Sequence, residues 1–159
     1  MKFFNLNIPS TNFKSKLLTI LLGYIVMFIY MVSISHLLVW LYPPPPGYVS
    51  VPDSNPEPLA YTIFITILWA PFWEEILNRH AYGLIVKQIG NQFLLPAMLI
   101  SSFVFGWLHG NGQISVLRQG VSGMIFFYVY AKNSYSWRSS FILHMLWNTT
   151  VTFSPDWIW

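Results

Sequence analysis

The sequence contains no cysteine. That absence excludes disulfide cross-links and any metal site built on thiolates. Charge is nearly as scarce: 8% of the 159 residues are Asp, Glu, Lys or Arg, against about 25% in an ordinary soluble domain. Hydrophobic residues make up 55% of the chain, and the mean hydropathy is +0.51. A chain so poor in charge has too little polar surface to fold in water, so its solvent is a bilayer. Basic clusters interleaved with aromatics are also missing, which argues against a nucleic-acid partner. No internal repeat and no boundary to a second domain is visible, and the length suits one compact unit.

Long apolar runs are what the chain has in abundance. A helix needs about 20 mostly apolar residues to span a bilayer. Residues 17–42, 59–86, 92–108, 115–131 and 139–153 are the candidates, the last short enough to begin earlier, within 134–137. The expected fold is therefore all-α, a polytopic membrane bundle of about five transmembrane helices. The first run is too long for a signal-peptide core and ends without a small-residue cleavage site, so a retained anchor is expected. Trp40 and Tyr42 at its end suit an interfacial aromatic belt. PPPPG (43–47) reads as a stiff spacer. The organisation expected is an anchor and proline-rich loop over 1–58 and a helix bundle over 59–159, within a single membrane domain. Pro71 is expected to kink the second span.

Positive charge orients membrane proteins. Lys2, Lys14, Lys16, Lys87, Lys132 and Arg138 fall on one side of a five-span topology, opposite Asp53, Glu57, Asp156 and Arg118. A multi-pass protein of the cell membrane, with its N-terminus in the cytoplasm and its C-terminus outside, is the expectation.

Against this background WEEILNRH (73–80) stands out. Ionised residues inside a span cost about 2.5–3.5 kcal/mol each on the mildest scales, and they normally face the bundle interior or a water-filled cavity. Glu75 and Arg79 are spaced for an intrahelical ion pair. Glu74 is rotated from Glu75 by about 100° and is left for partners on other helices. FGWLH (105–109) puts Phe105 and His109 on one face, and HMLWN (144–148) does the same for His144 and Asn148. Ser102 and Gly106 form a small-xxx-small pair suited to close helix approach. The expected result is a polar intramembrane pocket fed by three spans. His36 is expected to serve packing. His80 is expected near the site or at the headgroups.

The segments EEILNR (74–79), FGWLH (105–109) and HMLWN (144–148) resemble the EExxxR, FxxxH and HxxxN motifs of the CPBP family. That family contains the type II CAAX prenyl endopeptidases together with Abi-like, bacteriocin-processing and immunity proteins. The resemblance covers about residues 59–150, and His80 stands where the family commonly has glycine. It implies a glutamate-dependent intramembrane protease in which Glu74 and His109 activate water. His144 and Asn148 would then stabilise the oxyanion, while Glu75, Arg79 and Phe105 give support. The implied substrate is a peptide or lipidated protein in the membrane, a prenylated CAAX tail or a leader peptide. No cofactor is expected. The mechanistic rival is zinc held by Glu74, His109 and His144, although HExxH is absent.

Two other function classes fit the same residues. A silent immunity or scaffold protein would use the polar network for folding and partner binding. A proton-relay transporter would use its Glu and His groups to pass protons. Arg79 has an alternative role as well, binding a substrate carboxylate.

Overall fold

The computed structural model describes residues 12–43, 57–110 and 112–154. Lys2, the proline spacer beyond Pro43, Asp53 and Asp156 lie outside the described residues. Those described form an all-helical bundle. Its helices are α1 (Phe13–Leu41), α2 (Leu59–Ile89), α3 (Asn91–Leu108), α4 (Gly112–Lys132) and α5 (Trp137–Phe153). The first four are long and apolar enough to cross a membrane. The fifth, at 17 residues, packs among them.

Each boundary has a local cause. Asn12 caps α1 by accepting the Ser15 N–H at 2.8 Å, and α1 ends at the start of the proline run. Gly90, at φ 114°, separates α2 from α3 in a conformation that glycine tolerates. Pro96 lies in the opening turns of α3, where its missing N–H leaves few helical bonds unmade. A turn over 133–136 joins α4 to α5, closed by the Ser136 N–H donating to the Tyr130 carbonyl.

The expected kink at Pro71 takes a particular form. The helix widens to i→i+5 turns over Ile63–Trp69, tightens over Ala70–Glu75, and widens again over Ile76–His80. Proline has no N–H and crowds the turn before it, and the wider turn relieves that crowding. Such wide turns often mark functional sites.

The whole of α1 is apolar, but one stripe is buried. Ile20, Gly23, Met27, Met31 and Ile34 face Phe105, Phe126, Val129, Leu143 and Trp147. Leu21, Leu22, Ile25, Ile29 and Leu37 remain exposed on the outer face, where lipid is the fitting neighbour. His36 is exposed too, so the expected packing role is corrected: it lies off the buried stripe. Close approach occurs where Ser102 and Gly106 led us to expect it. A Cβ on Gly106 would meet Val116 Cα at 2.7 Å and Gly120 N at 2.8 Å.

The two ends of the bundle differ in charge. Asn133 Nδ2 donates to the Lys16 carbonyl, and Lys87 lies 5.0 Å from the Tyr135 ring. The start of α1, the end of α2 and the α4–α5 turn thus share one end, which gathers Lys14, Lys16, Lys87, Lys132 and Arg138. His109 and Arg118 belong to the other half, near the α3–α4 connection.

Candidate active site

The wide turns around Pro71 prepare the site's first contact. The Ala70 N–H goes back to Ile65, and Pro71 has no N–H. The Thr66 carbonyl thereby loses both donors that an i+4 or i+5 pattern would supply. Asn148 Nδ2, arriving from α5, donates to it at 2.8 Å. A buried acceptor is costly to leave unmet, so this bond ties α5 to the proline break.

One turn further along α2, the two glutamates part. Glu75 and Arg79 are fully buried, with Arg79 Nε 3.6 Å from Glu75 Oε1. The guanidinium lies 4.0 Å from the centroid of the Phe105 ring and 5.2 Å from that of Phe126, in cation–π contact. Gly123 makes room for this cluster, since a Cβ there would come within 3.0 Å of Phe105 and 3.3 Å of Arg79 Nη2. Glu74, by contrast, is 29% exposed and turns into a cavity of about 430 Å³.

His144 joins the two. Its Nδ1–H donates to Glu75 Oε1 at 2.9 Å, and its Nε2 lies 3.5 Å from Glu74 Oε2. The ring stacks on Phe126 at 4.3 Å. Helical rotation does separate the carboxylates, but an imidazole with a nitrogen on each side spans the gap. Nothing in the spacing of residues along α2 signals that bridge.

His109 follows the last residue of α3 and folds back along it, as helical side chains lean toward the N-terminus. Its Nδ1–H donates to the Phe105 carbonyl at 2.7 Å. That bond fixes the tautomer and leaves Nε2 as an acceptor in the neutral ring. Nε2 lies 4.0 Å from Glu74 Oε1. The gap is too wide for a direct hydrogen bond and suits one bridging water. Glu74 lies near the middle of α2 and His144 near the middle of α5, so the backward fold of His109 brings the three to a common depth.

Glu74, Phe105, His109, His144 and Asn148 all line the cavity. Glu75 and Arg79 stand behind it. The family model for Type II CAAX prenyl endopeptidase Rce1-like proteins matches residues 56–150. The chain belongs to this family. The match takes in α2 to α4 and most of α5, including every residue of the three motifs, and leaves out α1. No curated protein and no solved structure matches the chain. The CAAX-type family is one of intramembrane endopeptidases, and a membrane-embedded cavity with carboxylate and imidazole groups accords with that chemistry.

Among the described residues, no group of three or more His, Asp or Glu is placed to hold a metal ion. Glu74, His109 and His144 do turn their carboxylate and Nε2 atoms toward one another, each ring holding a hydrogen bond through Nδ1 as zinc-bound histidines commonly do, and zinc dependence is put to the chelator test below. No step below runs through a metal.

His80 is not in the cavity. Its Nδ1 is 3.4 Å from the Tyr130 hydroxyl, with the rings edge to face, so of the two expected placements the one near the site is corrected. Sequence reasoning also gave no site role to Thr66, Met31, Arg118 and Gln119, which line the cavity as well. The signal available for Thr66 was Pro71, five residues downstream. For Arg118 it was a lone cation at the end opposite the other basic residues.

Proposed function

We propose that the protein is a glutamate-dependent intramembrane endopeptidase that hydrolyses a peptide bond of a membrane-associated substrate. The observation that carries this reading is the 4.0 Å gap between Glu74 and the bare Nε2 of His109, open to the cavity. A water held there loses a proton to Glu74 as it attacks the scissile carbonyl, while His109 orients it. The oxygen of that carbonyl gains charge. The amide N–H of Asn148 not used by Thr66 is one donor on offer, and His144, whose Nδ1–H is taken by Glu75, is a second through Nε2 when its ring carries both protons. In a site shielded from bulk water such donors are worth several kcal/mol, about 2.7–4 for one in a comparable protease site. Collapse of the tetrahedral intermediate breaks the C–N bond, and the leaving amine takes the proton from Glu74.

Glu75 and Arg79 act through position. Glu75 fixes the His144 ring, and Arg79 neutralises Glu75. Substrates of the fitting class are peptides or lipidated proteins presented within the bilayer, including prenylated CAAX tails and leader peptides.

The lysine-rich end is assigned to the cytoplasm, which leaves the cavity in the half of the bundle away from it. Because the chain has no cysteine, single cysteines placed near Lys87 and near Arg118 would report this directly. A membrane-impermeant thiol reagent applied to intact cells should label the second and not the first.

The deciding experiment compares new peptide termini in membranes carrying the wild-type protein or Glu74→Gln at equal abundance. Termini present with the wild type and absent with the variant are expected. Identical termini from two equally folded proteins would favour an immunity or scaffold role. Equal peptide cleavage with and without a strong chelator is also expected, and loss of cleavage that zinc restores would move the mechanism to the metal-dependent form.

A further inference from the structure

Arg118 is used by neither the mechanism nor the packing of the core. It lines the same cavity as Glu74, His109 and Asn148, and also a smaller neighbouring cavity of about 190 Å³ with Ser35, Leu38 and Tyr42. It therefore stands in the wall between the two. One Nη2–H donates to Ser35 Oγ of α1 at 3.3 Å. Its Nε is shielded from solvent and meets no acceptor. Among the described residues no carboxylate pairs with it. An ionised group in apolar surroundings without a counter-charge is expensive, so an unpaired guanidinium here calls for an anion that the described chain does not supply.

The backbone around it is held in advance. The Tyr30 hydroxyl donates to the Leu117 carbonyl, and Ser122 Oγ donates to the Arg118 carbonyl at 3.2 Å. The residue lies in a wide-turn segment of α4, Val116–Gly120, a distortion common at functional sites. The remaining cations among the described residues are accounted for. Lys14, Lys16, Lys87, Lys132 and Arg138 gather at the opposite end, and Arg79 is fully buried against Glu75 and does not line the cavity. That last point removes Arg79 as the group that receives a substrate carboxylate.

We propose that Arg118 is the anion anchor of the substrate cavity, receiving a carboxylate carried by the peptide substrate. The planar guanidinium fork fits a carboxylate through paired N–H donors. The proposal rests on the endopeptidase reading and names a specificity determinant for it. It also gives α1, which lies outside the family match, a part in substrate choice through Ser35. The carboxylate has two sources in a peptide, a free C-terminus or an Asp or Glu side chain.

The test uses the full chain in phosphatidylcholine nanodiscs and three pools of apolar peptides. The first pool has free C-terminal carboxylates, the second has the same sequences amidated, and the third is amidated with one Asp or Glu added. Capture is measured by mass spectrometry on the Glu74→Gln protein, and cleavage on the wild type. Capture of the first or third pool about tenfold or more above the second is expected. Arg118→Gln on the same background should erase the preference without changing thermal unfolding, and Arg118→Lys should keep part of it. Ser35→Ala should weaken it less. Preference for the first pool places the carboxylate at the C-terminus, and preference for the third places it on a side chain. Equal capture of all three pools, or a preference untouched by Arg118→Gln, overturns the proposal. So does Arg118-dependent retention of added phosphatidylglycerol with no peptide preference, which would identify a lipid phosphate as the occupant. An acid preference in capture with no cleavage by the wild type leaves the anchor standing and sinks the endopeptidase reading. Cleavage without acid preference does the reverse.

Discussion

Glu74 and Glu75 are neighbours in the chain and opposites in the structure. Glu75 has no exposure and is held by Arg79 and His144. Glu74 is 29% exposed and faces a cavity with an imidazole across a water-sized gap. One carboxylate is fixed and neutralised, so its worth is structural. The other is loosely held, and the proposed mechanism makes its worth chemical. The difference arises from one residue of helical rotation, which sends one side chain toward Arg79 and His144 and the other into the cavity.

The sharpest way to break this contrast is to exchange the two effects. Glu74→Gln should lower peptide cleavage by about 10²–10⁴-fold, the range for loss of a general base, with an unchanged unfolding temperature in detergent. Arg79→Ala should do the opposite first, destabilising the protein by about 3–5 kcal/mol by stranding Glu75. Unfolding curves and residual cleavage, read on both variants, check the pair. Glu75→Gln with Arg79→Met should recover much of the lost stability but little activity, because His144 still lacks its charged acceptor.

Next in size is the α3–α4 contact. Gly106→Val would drive a side chain into the Val116 and Gly120 backbone. A loss of about 1–3 kcal/mol is expected for such overpacking, with reduced cleavage as His109 moves away from Glu74. Unchanged activity would separate the position of His109 from this helix contact.

Asn148 sharpens the comparison on a third helix. Its Nδ2 answers the Thr66 carbonyl, so Asn148→Ala should cost about 1–3 kcal/mol for the unmet acceptor. Asn148→Asp should cost more, since an ionised carboxylate has no hydrogen to donate. Unfolding temperatures equal to that of the wild type in both variants would show that this bond does not hold α5 in place.

The smallest effect is expected at His80. It touches Tyr130 away from the cavity. His80→Gly should leave cleavage within about twofold and lower stability by up to about 1 kcal/mol, the helical penalty of glycine. A large loss of activity would place His80 in the catalytic apparatus after all.

Much of the fold was legible because it is written in local chemistry. Apolar run length announced the helices, Pro71 the distortion of α2, and Ser102 with Gly106 the tight pairing. Boundaries shifted by a few residues because caps and turns, rather than hydropathy, end a helix. Asn12 starts α1 at Phe13, earlier than the apolar run beginning at Leu17. The motif residues of the site were legible too, since a charge or imidazole within an apolar span is rare enough to notice.

The sequence by itself determined which side chains would be forced inward, because lipid accepts neither carboxylate nor guanidinium. It determined the Glu75–Arg79 pair, which needs only helical spacing. Only the tertiary structure decided that His144 bridges both glutamates and that Asn148 meets the carbonyl freed by Pro71. It alone decided that Ser35 of α1 holds Arg118 at the cavity wall. Each of those contacts joins different helices, and their meeting depends on crossing angle, depth and close backbone approach, which local spacing does not encode.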